Sequence, residues 1–240
     1  MKQQLEILAE TGDFVAINKP AGLLSIPDRE QSEPSLKDLL LRQFDSIFTV
    51  HRLDKETSGV IVFAKNEASH RFLSQQFEAR TTTKLYNGLV LGKVYDTEGT
   101  LDQPIGEHPV KKGMMTVVRK GKPSITEFRL IESFPQYSWM EFRILTGRTH
   151  QIRVHMKNFG HPIVCDPLYG DGQPVLLSSI KKKFKLGKDV LEERPLLNRL
   201  ALHARSLQIT GIDGKELTLE APIPKDLRAT LQQLGKVNAG

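Results

Sequence analysis

Short runs of apolar residues, many alternating with polar ones, recur along the chain and predict a protein dominated by β-strands. The predicted strands are residues 5–10, 14–19, 60–65, 85–94, 125–133, 139–145, 201–210 and 216–222. Helical spacing is rarer, and it predicts helices at residues 35–44, at 67–79 with Asn66 as N-cap, after Thr149, and at 225–234. Strands therefore dominate the pattern.

The strands outnumber the helices and do not alternate strictly with them, which indicates an α+β fold rather than a doubly wound one. We expect a long mixed, largely antiparallel sheet flanked by helices. No internal repeat is visible, so residues 1–240 are predicted to form a single domain. Residues 171–194, which include the run KKKFKLGK, form a polar, lysine-rich excursion from this core.

Composition limits the class of protein. The 34 Lys and Arg residues exceed the 28 Asp and Glu residues, and the net charge of +6 favours polyanionic partners. A single cysteine, Cys165, excludes an internal disulfide framework and fits a reducing compartment. The first residues lack a signal-peptide core, and no run approaches the roughly 20 apolar residues of a membrane span. We therefore expect a cytoplasmic protein without a membrane partner.

The segment TVHRLDKETSG at residues 49–59 is strongly polar, yet it directly precedes the apolar run VIVFA at residues 60–64. Unpaired charge beside a buried strand is costly. The segment is therefore either a solvated loop or a means of delivering a charge to a pocket, and the sequence pattern alone leaves both readings open.

The segment LTGRTHQIRVHM at residues 145–156 also carries more polar groups than packing requires. Thr149 is predicted to cap a helix, with Arg148 in the turn just before it. A guanidinium held at such a turn can fork both oxygens of a carboxylate or phosphate, and Asp54 is the candidate carboxylate.

Four ordered motifs identify a resemblance. HRLDKETSG at residues 51–59, KLY at 84–86, GRTHQIRVHM at 147–156 and GHPIVCDPLYG at 160–170 together resemble the RluA family of pseudouridine synthases. The opening FVAINKPAGLLSIP at residues 14–27 also looks like the N-terminal signature of this family. Cys165 stands where many relatives have glycine, a departure that bears on local backbone geometry, and we expect it to be a small buried residue.

The resemblance implies the pseudouridine synthase catalytic fold and the isomerisation of uridines in structured RNA, with no cofactor and no metal. It implies that Asp54 is the catalytic aspartate, Tyr86 the active-site tyrosine and Arg148 the basic partner of the aspartate. Arg52 matches an arginine that fills the space left by the flipped nucleotide. A uridine inside a stack must be extruded before its glycosidic bond can be reached, at a cost of a few kcal/mol.

The expected partner is a compact RNA element, such as a stem-loop of tRNA or ribosomal RNA. Many relatives carry a separate RNA-binding domain of the S4 type, whereas here the family signature begins at residue 14. The catalytic domain is therefore expected to hold its RNA with help from its own basic segments, as a monomer without an obligatory protein partner. Four residues of the lysine-rich excursion are candidate RNA contacts: Lys181, Lys182, Lys183 and Lys185.

Two alternatives from other classes remain. An RNA-binding module could have kept the fold without the chemistry, although the joint presence of Asp54, Tyr86 and Arg148 argues against this. A metal-dependent nuclease or phosphotransferase could use His51 and Asp54, but no acidic cluster accompanies the histidines of residues 150–161. We therefore predict no metal site.

Overall fold

The structure is a computed structural model, and it describes residues 5–181, 184 and 192–238. Its strands form a large mixed sheet flanked by helices, so the predicted α+β class is confirmed. The chain divides into two compact units, which are described separately below. The first contains Met1–Tyr86, Arg143–Thr146 and Leu202–Pro222; the second contains Asn87–Phe142, Gly147–Ala201 and Ile223–Gly240. The expectation of a single domain stays a prediction.

The first unit is built on a sheet whose strands follow the order β1, β2, β4, β11 and the start of β5. In addition, β3 pairs with β4, and β12 pairs with β11. Its elements are β1 (Glu6–Glu10), β2 (Phe14–Lys19), α1 (Leu36–Leu40), β3 (Phe48–Thr49), β4 (Ser58–Ala64), α2 (Glu67–Ala79), β11 (Leu202–Thr210), β12 (Glu216–Glu220) and the first four residues of β5 (Thr83–Leu91). Most of these pairs are antiparallel, but β4 and β11 are parallel.

The second unit contains strands in the order β5, β10, β9 and β6, together with a separate hairpin of β7 and β8. Its elements are the remainder of β5, β6 (Glu98–Leu101), β7 (Ile105–Glu107), β8 (Met115–Val117), β9 (Thr126–Ser133), most of β10 (Tyr137–Ile144), α3 (Gln151–Asn158), α4 (Leu177–Ile180) and α5 (Lys225–Asn238). No helix among the described residues is long and apolar enough to cross a bilayer.

Local signals account for the elements that were predicted closely. Asn66 caps α2 as expected, because its side chain accepts a hydrogen bond from the Ser69 amide at 2.8 Å. Strands β6, β7 and β8 were missed because each has only three or four residues, too few for a period-two pattern to stand out. The predicted helix at residues 35–44 is shorter than expected, since α1 ends at Leu40.

The centre of the first unit is β4, all seven of whose residues are buried. Its parallel pairing with β11 places Gly59 beside Ala204. Gly59 adopts a φ of +117°, and a Cβ there would lie 2.6 Å from the Ala204 amide nitrogen and still nearer its carbonyl oxygen. Only glycine satisfies both the backbone angle and this close approach.

We predict that Gly59→Ala destabilises the protein by about 3 kcal/mol, since the added methyl group must push β11 away from β4. Urea unfolding followed by circular dichroism measures this change. Gly12→Ala is the matched control, because Gly12 is not left-handed and a Cβ there would meet nothing within 4 Å. Equal stabilities of the two variants would contradict the argument.

Candidate active site

The polar segment before β4 is a loop whose backbone is held on both sides of Asp54. The Leu53 amide donates to the Ser25 hydroxyl at 3.1 Å, and this hydroxyl donates to the Leu53 carbonyl at 2.7 Å. The Lys55 carbonyl accepts hydrogen bonds from the Gly22 amide and the Lys19 ammonium, both at 2.9 Å. Because its neighbours on both sides are hydrogen-bonded, the half-buried Asp54 carboxyl group is carried on a fixed piece of backbone.

Lys19 provides the central support for this loop. Its side chain is fully buried, and its ammonium group donates to the carbonyls of Pro20, Leu23 and Lys55 at 2.7–3.0 Å. A buried ammonium is tolerable only when its protons are hydrogen-bonded. The end of β2 and the loop that carries Asp54 are thereby joined through one charged group.

His51, at the start of the loop, anchors it to β4. Strand β3 pairs with β4 only at Phe48 and Thr49. Beyond this pairing, the Val62 amide of β4 donates to His51 Nε2 at 3.0 Å. The imidazole also stacks on Phe77 of α2, with ring centroids 4.5 Å apart. Burial, together with the nearby charge of Lys84, lowers the pKa of His51 to about 3, so the ring is neutral and acts as an acceptor.

Tyr86 lies on β5, is only 9% exposed, and is close enough to Asp54 to feel its charge. Burial, and then the neighbouring Asp54 carboxylate, raise the pKa of Tyr86 well above its usual range. The phenol therefore keeps its proton at neutral pH. It can pack against a base or donate a hydrogen bond, but it cannot serve as a phenolate base.

Two cations border this part of the first unit. Arg52 is exposed immediately before Leu53, as its proposed contact with RNA requires. Lys84 is half-buried on β5, two residues before Tyr86, and burial followed by the charge of Arg80 lowers its pKa. Lys84 forms no ion pair with any carboxylate of the described residues, and sequence reasoning gave it no role beyond its motif.

Arg148 belongs to the second unit, where a glutamine organises its turn. The Gln151 side chain accepts from the Arg148 amide at 3.0 Å and donates to the Ile125 carbonyl at 2.9 Å. The Arg148 Nε atom donates to the Pro123 carbonyl at 3.1 Å, which leaves the terminal nitrogens of its guanidinium for other contacts. The pairing of Arg148 with Asp54 stays a prediction.

The predicted N-cap of α3 is wrong. The N-cap is His150 rather than Thr149, and His150 has a left-handed φ of 57° with no side-chain cap bond. The side chain of Gln151 instead fixes the turn before the helix by accepting from the Arg148 amide. Cys165, by contrast, is buried as expected, and its φ of 57° explains why glycine would suit this position.

The second unit also contains an exposed cationic surface that the sequence analysis missed. We call residues 105–122 the basic hairpin; they comprise β7, β8 and a return segment in which Lys122 pairs with Ile105. Its exposed cations are Lys111, Lys112, Arg119, Lys120 and Lys122. None of these five forms an ion pair within the described part of the chain. The pairs KK and RK, each beside a glycine, were the available signal.

The lysine-rich excursion is described only in part. Lys181 is half-buried, and its amide donates to the Leu177 carbonyl at the end of α4. Lys182, Lys183 and Lys185 lie outside the described residues. Within the described residues, no group of three or more His, Cys, Asp or Glu side chains could hold a metal ion.

The chain belongs to the RNA pseudouridylate synthase family, whose model matches residues 13–158. It is 38% identical over 237 residues to the ribosomal large subunit pseudouridine synthase D of Nitrosomonas europaea, and the aligned region covers 96% of this chain and 65% of that protein. It is 37% identical to the protein of the same name from Pseudomonas aeruginosa, across 93% of this chain and 69% of that one. The chain thus spans about two thirds of the length of these relatives.

A solved structure is similar over nearly the whole chain. Human RNA pseudouridylate synthase domain containing 4 superposes with a TM-score of 0.74 at 27% sequence identity, across 96% of this chain and 93% of that one. The resemblance inferred from the motifs is therefore confirmed at the level of family and fold.

The pKa of His51 predicts a specific dependence of stability on pH. In the unfolded chain a histidine titrates near pH 6.5, whereas in the fold His51 titrates near 3. Between these values the unfolded state binds more protons, so the free energy of unfolding falls as the pH is lowered through this window. From pH 7 to pH 5 we expect His51 to account for a loss of about 1 to 2 kcal/mol.

Urea unfolding at both pH values, for the wild type and for His51→Gln, measures this contribution. Glutamine can still accept from the Val62 amide but does not titrate. The variant should therefore lose less stability than the wild type on acidification. Identical losses in the two proteins would refute a neutral His51.

Proposed function

We propose that this protein is an RNA pseudouridine synthase that isomerises specific uridines in structured RNA, with large-subunit ribosomal RNA as the target class. Family membership and the names of its relatives support the reaction and the target. The observation that carries the proposal is the position of Asp54, which lies between two hydrogen-bonded neighbours and close to the protonated Tyr86. An RNA-binding module without chemistry would not require this arrangement.

The reaction breaks the bond between uracil N1 and ribose C1′ and forms a bond between uracil C5 and the same C1′. C5 loses a proton and N1 gains one, so the reaction is an isomerisation without an external reactant. Asp54 acts either as a nucleophile or by promoting a reactive sugar intermediate. In either route the detached uracil must rotate while it stays in the pocket.

The other site residues follow from their chemistry. Tyr86 packs against the uracil ring and donates a hydrogen bond, since its raised pKa excludes a phenolate at neutral pH. Arg148 is the basic partner of the aspartate in this proposal, since a guanidinium can fork both oxygens of a carboxylate. Arg52 occupies the gap left by the extruded nucleotide and offsets part of the cost of unstacking.

RNA affinity comes from phosphate contacts with unpaired cations. The basic hairpin offers five exposed cations, and Lys84 offers one more close to Tyr86. The lysines of the excursion, Lys181, Lys182, Lys183 and Lys185, remain candidates for further contacts. We further propose that the protein acts in the cytoplasm as a monomer.

Asp54→Asn should abolish turnover, because the amide keeps the shape of the side chain but removes the nucleophile. Under single-turnover conditions, tritium release from ribosomal RNA labelled at uracil C5 should fall at least about a thousandfold. RNA affinity should change little. Arg148→Lys should also lose most of its rate, and the double variant should be hardly slower than Asp54→Asn, since residues acting as a unit are non-additive.

Asp213→Asn is the matched control, because Asp213 is an exposed carboxylate in the turn between β11 and β12. A comparison of ribosomal RNA with tRNA in the same assay tests the target class. Excess chelator should not slow the reaction, and the RNA should keep its length. A metal-dependent nuclease would instead be inhibited by the chelator and would shorten the RNA. Substantial turnover by Asp54→Asn would contradict the assignment of Asp54 as the catalytic aspartate. Fast turnover by Arg148→Ala would contradict only the assignment of Arg148 as its partner.

Neutralising cations of the basic hairpin should lower the affinity for RNA and make that affinity less dependent on salt concentration. Each lost phosphate contact lowers the slope of log affinity against log salt by about 0.7 to 0.9. The test variant is Lys111→Gln with Lys112→Gln and Lys120→Gln, measured by filter binding from 50 to 200 mM salt.

The matched control removes three exposed cations of α5 by Lys225→Gln, Arg228→Gln and Lys236→Gln, so the net charge is the same in both variants. A third arm neutralises the four lysines of the excursion. If the hairpin variant and the α5 variant have equal slopes, the hairpin is not a phosphate-binding surface.

A further inference from the structure

Tyr169 joins two segments of the second unit through a single hydroxyl group. The tyrosine is 3% exposed, and its hydroxyl oxygen lies 2.8 Å from the Met115 amide and 2.8 Å from His150 Nδ1. Since the amide can only donate, the hydroxyl accepts from Met115, and it forms a second hydrogen bond with His150 Nδ1. One group therefore connects the first residue of β8 to the N-cap of α3.

The ring of Tyr169 is packed in place, and this packing fixes the position of its hydroxyl group. It packs in a buried cluster with Ile105 and Val154, and the guanidinium of Arg153 lies 4.9 Å from the ring centroid. Arg153 in turn forks the buried Asp166 at 2.7 and 2.8 Å, and Asp166 accepts from the Tyr169 amide at 3.1 Å. Backbone and ring are thus both fixed.

The two joined segments carry different parts of the proposed RNA site. Met115 begins the returning strand of the basic hairpin, while His150 follows Arg148 by two residues. A second link lies just after the hairpin, where Arg148 Nε donates to the carbonyl of Pro123. The Arg148 turn is therefore connected both to the start of β8 and to the residue that follows the hairpin.

We propose that Tyr169 is a positioning residue that holds the basic hairpin and the Arg148 turn in one fixed arrangement, so that the hairpin cations meet the phosphates of the RNA whose uridine reacts. This inference rests on the proposed function, in which the hairpin binds RNA. Packing alone would be served equally well by phenylalanine. Only the hydroxyl can accept from the Met115 amide and bond His150 Nδ1 at the same time, so phenylalanine would remove a hydrogen bond from each segment.

Tyr169→Phe tests the role of the hydroxyl while it preserves the ring. We expect RNA affinity at moderate salt to fall about tenfold, with the salt slope moving towards that of the neutralised hairpin. Tyr137→Phe is the matched control, because Tyr137 is also a buried tyrosine of the second unit and its hydroxyl is bonded to Ser179 instead. Thermal unfolding of both variants separates a loss of stability from a loss of positioning.

A double-mutant comparison gives the sharper result. If Tyr169 acts through the hairpin, Tyr169→Phe should cause no further loss of affinity in the protein whose hairpin is already neutralised. An undiminished loss in that background, or equal salt slopes for Tyr169→Phe and Tyr137→Phe, would overturn the proposal. Affinity and salt slope are measured without turnover, so absence of tritium release by the wild type would count against the proposed function alone.

Replacement of His150 supplies an independent arm. Asparagine and glycine both tolerate the left-handed φ of 57° at this position, but only asparagine offers a side chain that can form a hydrogen bond with the Tyr169 hydroxyl. His150→Asn should therefore keep RNA affinity within about threefold of the wild type, whereas His150→Gly should lose about tenfold. Equal affinities of the two variants would show that the hydrogen bond to His150 does not position the hairpin.

Discussion

The buried ammonium of Lys19 is the interaction on which the arrangement of the candidate site depends. It satisfies three backbone carbonyls that belong to the end of β2, the turn after it and the loop with Asp54. Hydrogen bonds to a charged group contribute about 1.5 to 3 kcal/mol each, so loss of the ammonium would remove three strong bonds that join these segments. An apolar residue of the same length could fill the space, but it could not hold the loop.

This support explains how a strongly charged segment can lie next to a fully buried strand. Leu53 is the inward-facing residue of the segment, and its two backbone groups are both bonded to Ser25. Arg52 and Lys55 are exposed, so their charges remain solvated. Asp54, between them, is half-buried and faces the surroundings of Tyr86. The reading of the segment as a loop is therefore confirmed, and delivery of a charge to a pocket by Asp54 stays a prediction.

The second unit uses the same kind of solution with different groups. There a buried pair, Arg153 and Asp166, fixes Tyr169, and the hydroxyl of Tyr169 links the basic hairpin to the start of α3. A buried pair of this kind is weak evidence for stability, because desolvation opposes the attraction of the charges. Its directional hydrogen bonds, however, specify one geometry, which is what an RNA-binding surface requires.

The sequence by itself determined the class of fold, the main strands, the cap of α2 and, through its motifs, the family. These features depend on local periodicity, capping chemistry and residue order, all of which are visible without coordinates. The tertiary structure alone decided that Lys19 supports Asp54, that His51 accepts from Val62, and that Tyr169 joins β8 to α3. Each of these contacts links residues at least eleven positions apart, and a period of two or 3.6 carries no information about such pairs. The neutral state of His51 likewise follows from its burial, with Phe77 stacked on its ring, and from the nearby charge of Lys84, and both residues are brought to it only when the chain folds.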